Sequence, residues 1–238
     1  MPKLPALRQI VLIVPDLGEA VARAREIFGF TSCTRDVEAM EELGFIHEIF
    51  SFADTFIEIV APIDADSPHG QMVARQGAGG YMVDVQVANL DELVDRAGRL
   101  DIAPLFVQGF EGHRISQWHP KTLGTLAEFD QVEPHDTWHF APGIFEASCT
   151  DVARDIIGAE ISTDDPKVMA QKWSQVVGAP VLGNATVELA KGSITFVPAD
   201  GRKGLTAVDV IATDPARIGE SVILGGVEFR FVAEGENV

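Results

Sequence analysis

Residues 116–131, SQWHPKTLGTLAEFDQ, read as a strand, a turn and a second strand. Ser116–Trp118 run into His119-Pro120, and proline cannot continue a ladder from a central strand, so the chain must turn there. Lys121–Gly124 complete the turn and Thr125–Asp130 resume extended backbone. In that last strand Leu126, Glu128 and Asp130 share one face, while Ala127 and Phe129 take the other. Glu128 is flanked by residues that should be largely buried, so its carboxylate needs a partner, a metal or a shifted pKa. A carboxylate that only anchors a salt bridge meets the same need.

Working outward, the stretch closes a strand–helix–three-strand unit. Tyr81–Ala88 form its first strand, and Asn89 or Asp91 begins a helix with Leu90, Leu93, Val94 and Ala97 inward. Leu105–Val107, Arg114–Trp118 and Thr125–Asp130 follow as strands. The same order precedes it: LRQIVLIV (7–14), a helix capped by Asp16 over 17–28 and ended by Gly29, then Thr31–Arg35, Phe45–Phe52 and Phe56–Val60. Asp36–Glu42 read as an acidic loop, and residues 64–78 as a linker with a short helical segment near Gln71–Arg75. After an aromatic, proline-rich connector, expected to pack through Trp138 and Phe140, GAEISTDDPKVMAQKWSQVVG restarts the pattern, with Asp165 as cap and Pro166 at the first helical position. A fourth unit opens with GLTAVDVIATDP, whose VDV at 208–210 echoes the VDV at 83–85. Four βαβββ repeats of about 55–75 residues predict an α+β fold. Pairs of repeats form two curved, mixed or antiparallel half-barrel sheets with helices outside. The expected organisation is a first domain over 1–134, a connector over 135–157 and a second, degenerate domain over 158–238.

The net charge of −18 repels nucleic acid and anionic lipid, and no run of Lys or Arg offsets it. It also argues mildly against a polyanionic ligand such as coenzyme A. The apolar runs, such as Ile10–Val14, are too short to cross a bilayer. The two cysteines, Cys33 and Cys149, have no motif spacing. With no secretory signal pattern in MPKLPALRQIVLIVPDL, the expectation is a cytoplasmic protein, monomeric or homodimeric, that takes a small-molecule ligand.

HPK-x-x-G-x-x-x-E, ending at Glu128, resembles the end of the methylmalonyl-CoA epimerase branch of the vicinal oxygen chelate superfamily. The βαβββ repeat extends the resemblance over nearly the whole chain. It implies a glyoxalase-like scaffold, shared by isomerases, lyases, extradiol dioxygenases, epimerases and the antibiotic-sequestering proteins of the bleomycin-resistance type.

Strand parity names the cleft residues. Val83, Val85 and Val87 make one apolar face, so Met82, Asp84 and Gln86 look into the cleft. By the family's pattern Gln9, Phe45, His47, Ile49, Glu58 and Glu128 join them. Arg114 is a further candidate for substrate binding. Metal-dependent relatives hold their ion with one ligand from each of four strands, commonly two His and two Glu or Gln. Gln9 and Met82 fall at the two His positions, and Glu58 and Glu128 at the other two. Met82 is a soft, poor ligand for Mg, Mn, Co or Zn, so the resemblance leaves either no cofactor or a divalent metal held by Glu58, Glu128 and Gln9. The segment E-E-L-G-F-I-H resembles the epimerases' approach to one of their two proton-transferring glutamates, and the aligned residue is His47. His47 as general base with Glu128 as acid, or His47 as a hydrogen-bonded strand histidine, are the alternatives.

Two functions follow. One is a lyase, isomerase or epimerase that moves a proton alpha to a carbonyl in a small metabolite or acyl thioester. The other is a metal-free small-molecule binding protein of the bleomycin-resistance type. At the equivalent second-half positions stand Gly158, Thr195 or Phe196, Ala207 and Glu228, which predicts no metal there; by the resemblance this half is expected to close the first sheet, as a second protomer does in two-unit relatives.

Overall fold

The computed structural model describes residues 3–235. The first repeat is β1 (Ala6–Ile13), α1 (Leu17–Phe28), α2 (Val37–Glu42), β2 (Phe45–Ser51) and β3 (Phe56–Pro62). Helix α3 (Pro68–Gln76) joins it to β4 (Gly79–Gln86), α4 (Leu90–Gly98), β5 (Phe106–Phe110), β6 (His113–Trp118), α5 (Pro120–Leu123) and β7 (Leu126–Gln131). After α6 (Gly143–Glu146) come β8 (Ala153–Thr163), α7 (Pro166–Val177), β9 (Val181–Leu182), β10 (Thr186–Glu188) and β11 (Ser193–Pro198). The last repeat is β12 (Gly204–Ala212), a 3-10 turn (Pro215–Arg217), β13 (Ser221–Leu224) and β14 (Val227–Val232). No helix among the described residues is long and apolar enough to cross a membrane.

The strands form two seven-stranded mixed sheets, ordered β2-β3-β1-β4-β7-β6-β5 and β13-β14-β12-β8-β11-β10-β9. In each, two repeats meet through an antiparallel pair of their first strands, β1 with β4 and β8 with β12. The caps explain the helix starts: Asp16 accepts from the Glu19 amide, Asn89 from Glu92 and Asp165 from Val168. Asn89, rather than Asp91, is therefore the cap of α4.

Local readings differ at five places. Asp36–Glu42 contain helix α2 instead of a loop, and the expected strand at Thr31–Arg35 shrinks to one bridge, Thr34 with Ile49. The 64–78 linker holds a full helix, α3, capped by Ser67 with Pro68 in its first turn. Strand β8 begins at Ala153, inside the stretch read as connector. The fourth repeat keeps its Asp214-Pro215 cap but builds only the 3-10 turn behind it.

The valine face of β4 packs on more than helices. Leu7, Leu12, Val83 and Val85 share one apolar core with Ala159, Ile161, Leu205 and Val208 of the second sheet, together with α1, α4 and α7. The second half thus backs the first sheet instead of closing its open side. Gly80 allows the approach, because a side chain there would run into Leu205. The opposite, cupped face of the first sheet has smaller clusters of its own, around Val11, Val60 and Val73 at one end and Phe56, Trp138 and Ile144 at the other.

Candidate functional site

Strand parity holds along the first sheet, and the cupped face gathers Gln9, His47, Glu58, Met82, Asp84, Gln86 and Glu128, each less than a tenth exposed. β2 and β3 pair without a bulge, so His47 faces the cup while Glu48 turns outward to Arg25 and Arg35. A local two-fold through the Ile10–Val83 pair exchanges Gln9 with Met82 and Glu58 with Glu128. Three strand steps and a two-residue stagger separate the two glutamates, about 16 Å on a flat sheet and less in a curled one.

Around Glu58 the hydrogen bonds fix every proton. The Asp36 amide donates to His47 Nε2 at 2.7 Å, so Nε2 carries the ring's lone pair and Nδ1 the hydrogen. Nδ1–H then donates to Glu58 Oε1 at 2.6 Å, and Gln9 Nε2 donates to Oε2 at 2.9 Å. Trp138 Nε1–H in turn donates to Gln9 Oε1 at 3.2 Å, which sets the orientation of that amide. Both Glu58 oxygens accept, the pattern of an ionised carboxylate.

The other glutamate is differently placed. Among the described residues Glu128 has one hydrogen-bond partner, Gln117 Nε2 at 2.7 Å, and it lies beside Asp84 on β4 and two residues from Asp130. Burial pushes the Glu128 carboxyl well above the ordinary carboxylate range; Asp130 and, less strongly, Glu58 add to this, while Gln117 and His139 oppose it. Burial likewise raises Asp84, helped by Glu128, Asp130 and Glu58. Asp130 rises through burial alone. His139 Nε2 meets Asp130 Oδ2 at 3.0 Å, and its own burial lowers that imidazole's pKa. Three buried acids with too few donors must hold protons among themselves. Accordingly Asp84 Oδ1 and Asp130 Oδ1 lack protein partners among the described residues.

Arg114 does not join this group. It shares the parity of Ser116 and Trp118, turns to the helix side and grips Asp91 with two bonds of 2.7 and 3.0 Å. Gln86 faces the cup but donates to the His135 carbonyl at 3.0 Å. Three contributions to the site went unread in the sequence: Gln117, which shares the parity of Ile115 across from Glu128, and, in a stretch without periodicity, His139 and the hydrogen bond of Trp138, whose packing was expected. The parity signal for Gln117 was available; for the other two no local signal exists.

The residues present do not fit a divalent ion. Glu58 is held by Gln9 and His47, Glu128 by Gln117, and the fourth position is the Met82 thioether. Among the described residues no three His, Cys, Asp or Glu side chains are grouped to hold a metal. In the second half, register places Gly158, Ala207, Thr195 and Arg230 at the equivalent positions. Glu228 is two residues away, opposite Ala207. Arg230 is neutralised there by Asp209 at 2.7 Å and Glu160 at 2.9 Å.

Paired βαβββ repeats around a cup lined by convergent polar groups define the vicinal oxygen chelate class. The chain belongs to the glyoxalase-like domain family, which matches residues 10–177. Among solved structures, a Staphylococcus aureus hypothetical protein is similar over the full length, with 9% identity, 97% of this chain and 99% of that one covered, and a TM-score of 0.68. A methylmalonyl-CoA epimerase bound to methylmalonyl-CoA and NH4+ matches at 21% identity over 57% of this chain and all of its own, with a TM-score of 0.46. The Mycobacterium tuberculosis methylmalonyl-CoA epimerase matches at 20% identity over 56% of this chain and 93% of its own, also at 0.46. No curated protein matches the chain in sequence.

Proposed function

We propose that the first half is an isomerase or epimerase site that moves a proton alpha to a carbonyl of a small metabolite or acyl thioester. The observation that supports it is the contrast between the two related glutamates. Glu58 accepts at both oxygens, whereas burial and Asp130 favour the protonated form of Glu128. A substrate carbon between them meets a base on one side and an acid on the other. Glu58 takes the alpha proton, the C–H electron pair moves into the carbonyl, and Glu128 returns a proton to the opposite face. The configuration inverts, Glu58 ends protonated and Glu128 ionised, and the next turnover runs in reverse or after proton exchange with solvent. The second N–H of Gln9 is an amide donor available to the developing oxyanion, whereas that of Gln117 meets the Met82 sulfur at 3.7 Å.

In this reading Glu128 keeps the role of acid, and the base is Glu58. His47 has its lone pair occupied by the Asp36 amide, so it acts as a positioning residue that orients Glu58.

The test is incorporation of solvent deuterium into 2-substituted acyl thioesters and 2-oxo acids, followed by NMR. Exchange is expected for a member of the panel, with Glu58→Gln and Glu128→Gln each losing about 10²–10⁴-fold. No exchange across the panel, or full activity in both variants, overturns the reading. Tight ligand binding without exchange would instead support a binding protein.

A further inference from the structure

At the rim of the cup, where β1 ends and β4 and β7 begin, a cavity of about 650 Å³ lies between the two halves. Its inner wall is apolar, with Ile13, Met72 and Leu126. Leu126 stands two residues before Glu128 on the same face of β7 and pairs with Met82, so this wall continues into the acid-lined cup. Its outer wall is different. Lys121 from the turn, and Arg202 and Lys203 from the loop before β12, face it with Asp164 as the only carboxylate among its lining residues.

In a chain of net charge −18, three cations against one carboxylate make an isolated positive spot. Lys203 is paired with Asp164 at 2.5 Å. Among the described residues Lys121 and Arg202 have no carboxylate partner; Arg202 spends one N–H on the Ala78 carbonyl. The Arg202 guanidinium lies against Gly79, in the space that a Cβ there would occupy. A guanidinium held at a cavity wall with donors to spare suits a planar carboxylate or a phosphate.

We infer that this cavity binds the anionic head of an elongated ligand whose apolar stem runs past Met72 and Leu126 toward Glu128. The second half, which offers no comparable acid pair, contributes its Arg202–Lys203 loop to the first half's site. The inference rests on the reading above only in taking the inner end of the stem as the reacting end.

Octyl phosphate is the probe, titrated into the full chain by calorimetry, with octanol and octyltrimethylammonium as controls and amide NMR shifts to locate it. Octyl phosphate is expected to bind at least tenfold more tightly than either control, shifting Leu126 and Gly204. The Arg202→Gln/Lys203→Gln variant should lose about tenfold in affinity and Lys121→Gln about threefold. Raising the salt concentration should weaken binding of octyl phosphate and leave that of octanol unchanged. Absent binding, equal affinity for octanol, or shifts confined to another surface overturn the inference. If the double variant does not fold, Lys121→Gln and the salt dependence decide it. Because the readout is binding, a lack of deuterium exchange with octyl phosphate still seated at Leu126 and Gly204 sinks only the enzymatic reading. Exchange without octyl phosphate binding sinks only the anion site.

Discussion

Trp138 ties the packing of the connector to the geometry of the cup. Its ring stacks on Phe56 with centroids 6.1 Å apart and lies under the buried Arg8 guanidinium, while its N–H turns the Gln9 amide toward Glu58. Trp138→Phe should keep the stack but leave the Gln9 oxygen without a donor, at a cost of about 1–3 kcal/mol in urea denaturation. It should also lower the exchange rate by loosening Glu58. Trp138→Ala removes the packing as well and should cost about 3–5 kcal/mol. The packing of Trp138 was legible in the sequence, but its bond to Gln9 and the place of His139 were not, because the connector folds back over the cup without a repeating pattern. Glu58 and Glu128 were legible, since alternation along a strand fixes which side chains share a face. The same rule, applied to Trp118, would have turned Arg114 outward with it. His47 was placed on the correct face, but no pattern in the sequence could show that the Asp36 amide occupies its lone pair.

The turn between β6 and β7 is held from outside. Trp173 of α7 donates to the Leu123 carbonyl at 2.7 Å, and Lys172 donates to Thr122 at 3.1 Å, so the second half grips the last turn of α5 just before Glu128's strand. Arg96 of α4 returns the contact, donating to the Val176 and Val177 carbonyls at the end of α7. A cation there satisfies carbonyls that the helix leaves open and meets the negative end of its dipole. Arg96→Leu should therefore lower stability by about 1–2 kcal/mol. Trp173→Phe should cost a similar amount by orphaning a buried carbonyl, and it should raise amide hydrogen exchange across Pro120–Leu126. Helices α1 and α7 were readable because caps, apolar stripes and terminal glycines agree, and α4 because its cap and stripe do. Helix α2 was not, since Val37–Glu42 is short and acidic and lacks a stripe.

The two halves share a single apolar core, and the acid cluster of the first half makes the stability of the entire chain depend on pH. The repeat made the four units and their pairing visible, but not that the sheets would pack back to back. A face of valines fits a helix and a second sheet equally well. The sign of the pH dependence follows from the direction of three shifts. Asp84, Glu128 and Asp130 all titrate above their unfolded values, chiefly through burial. Over the interval from the unfolded carboxylate range, about 4, up to the raised native values, the native state binds more protons than the unfolded state. Their contribution to stability is fully present below that range and declines as pH rises through it. Urea midpoints should therefore fall on the alkaline side, opposite to the trend of a protein whose carboxylates are salt-bridged. Asp84→Asn keeps the shape, removes one buried acid and should flatten the decline, with its largest gain over the parent chain at the alkaline end. Exchange activity should fall over the same alkaline limb, because Glu128 must be protonated to act as the acid. Midpoints that rise with pH across that interval, or an Asp84→Asn variant with the parent's slope, would show that these carboxyls are ionised in the native protein, and the acid role of Glu128 would go with them.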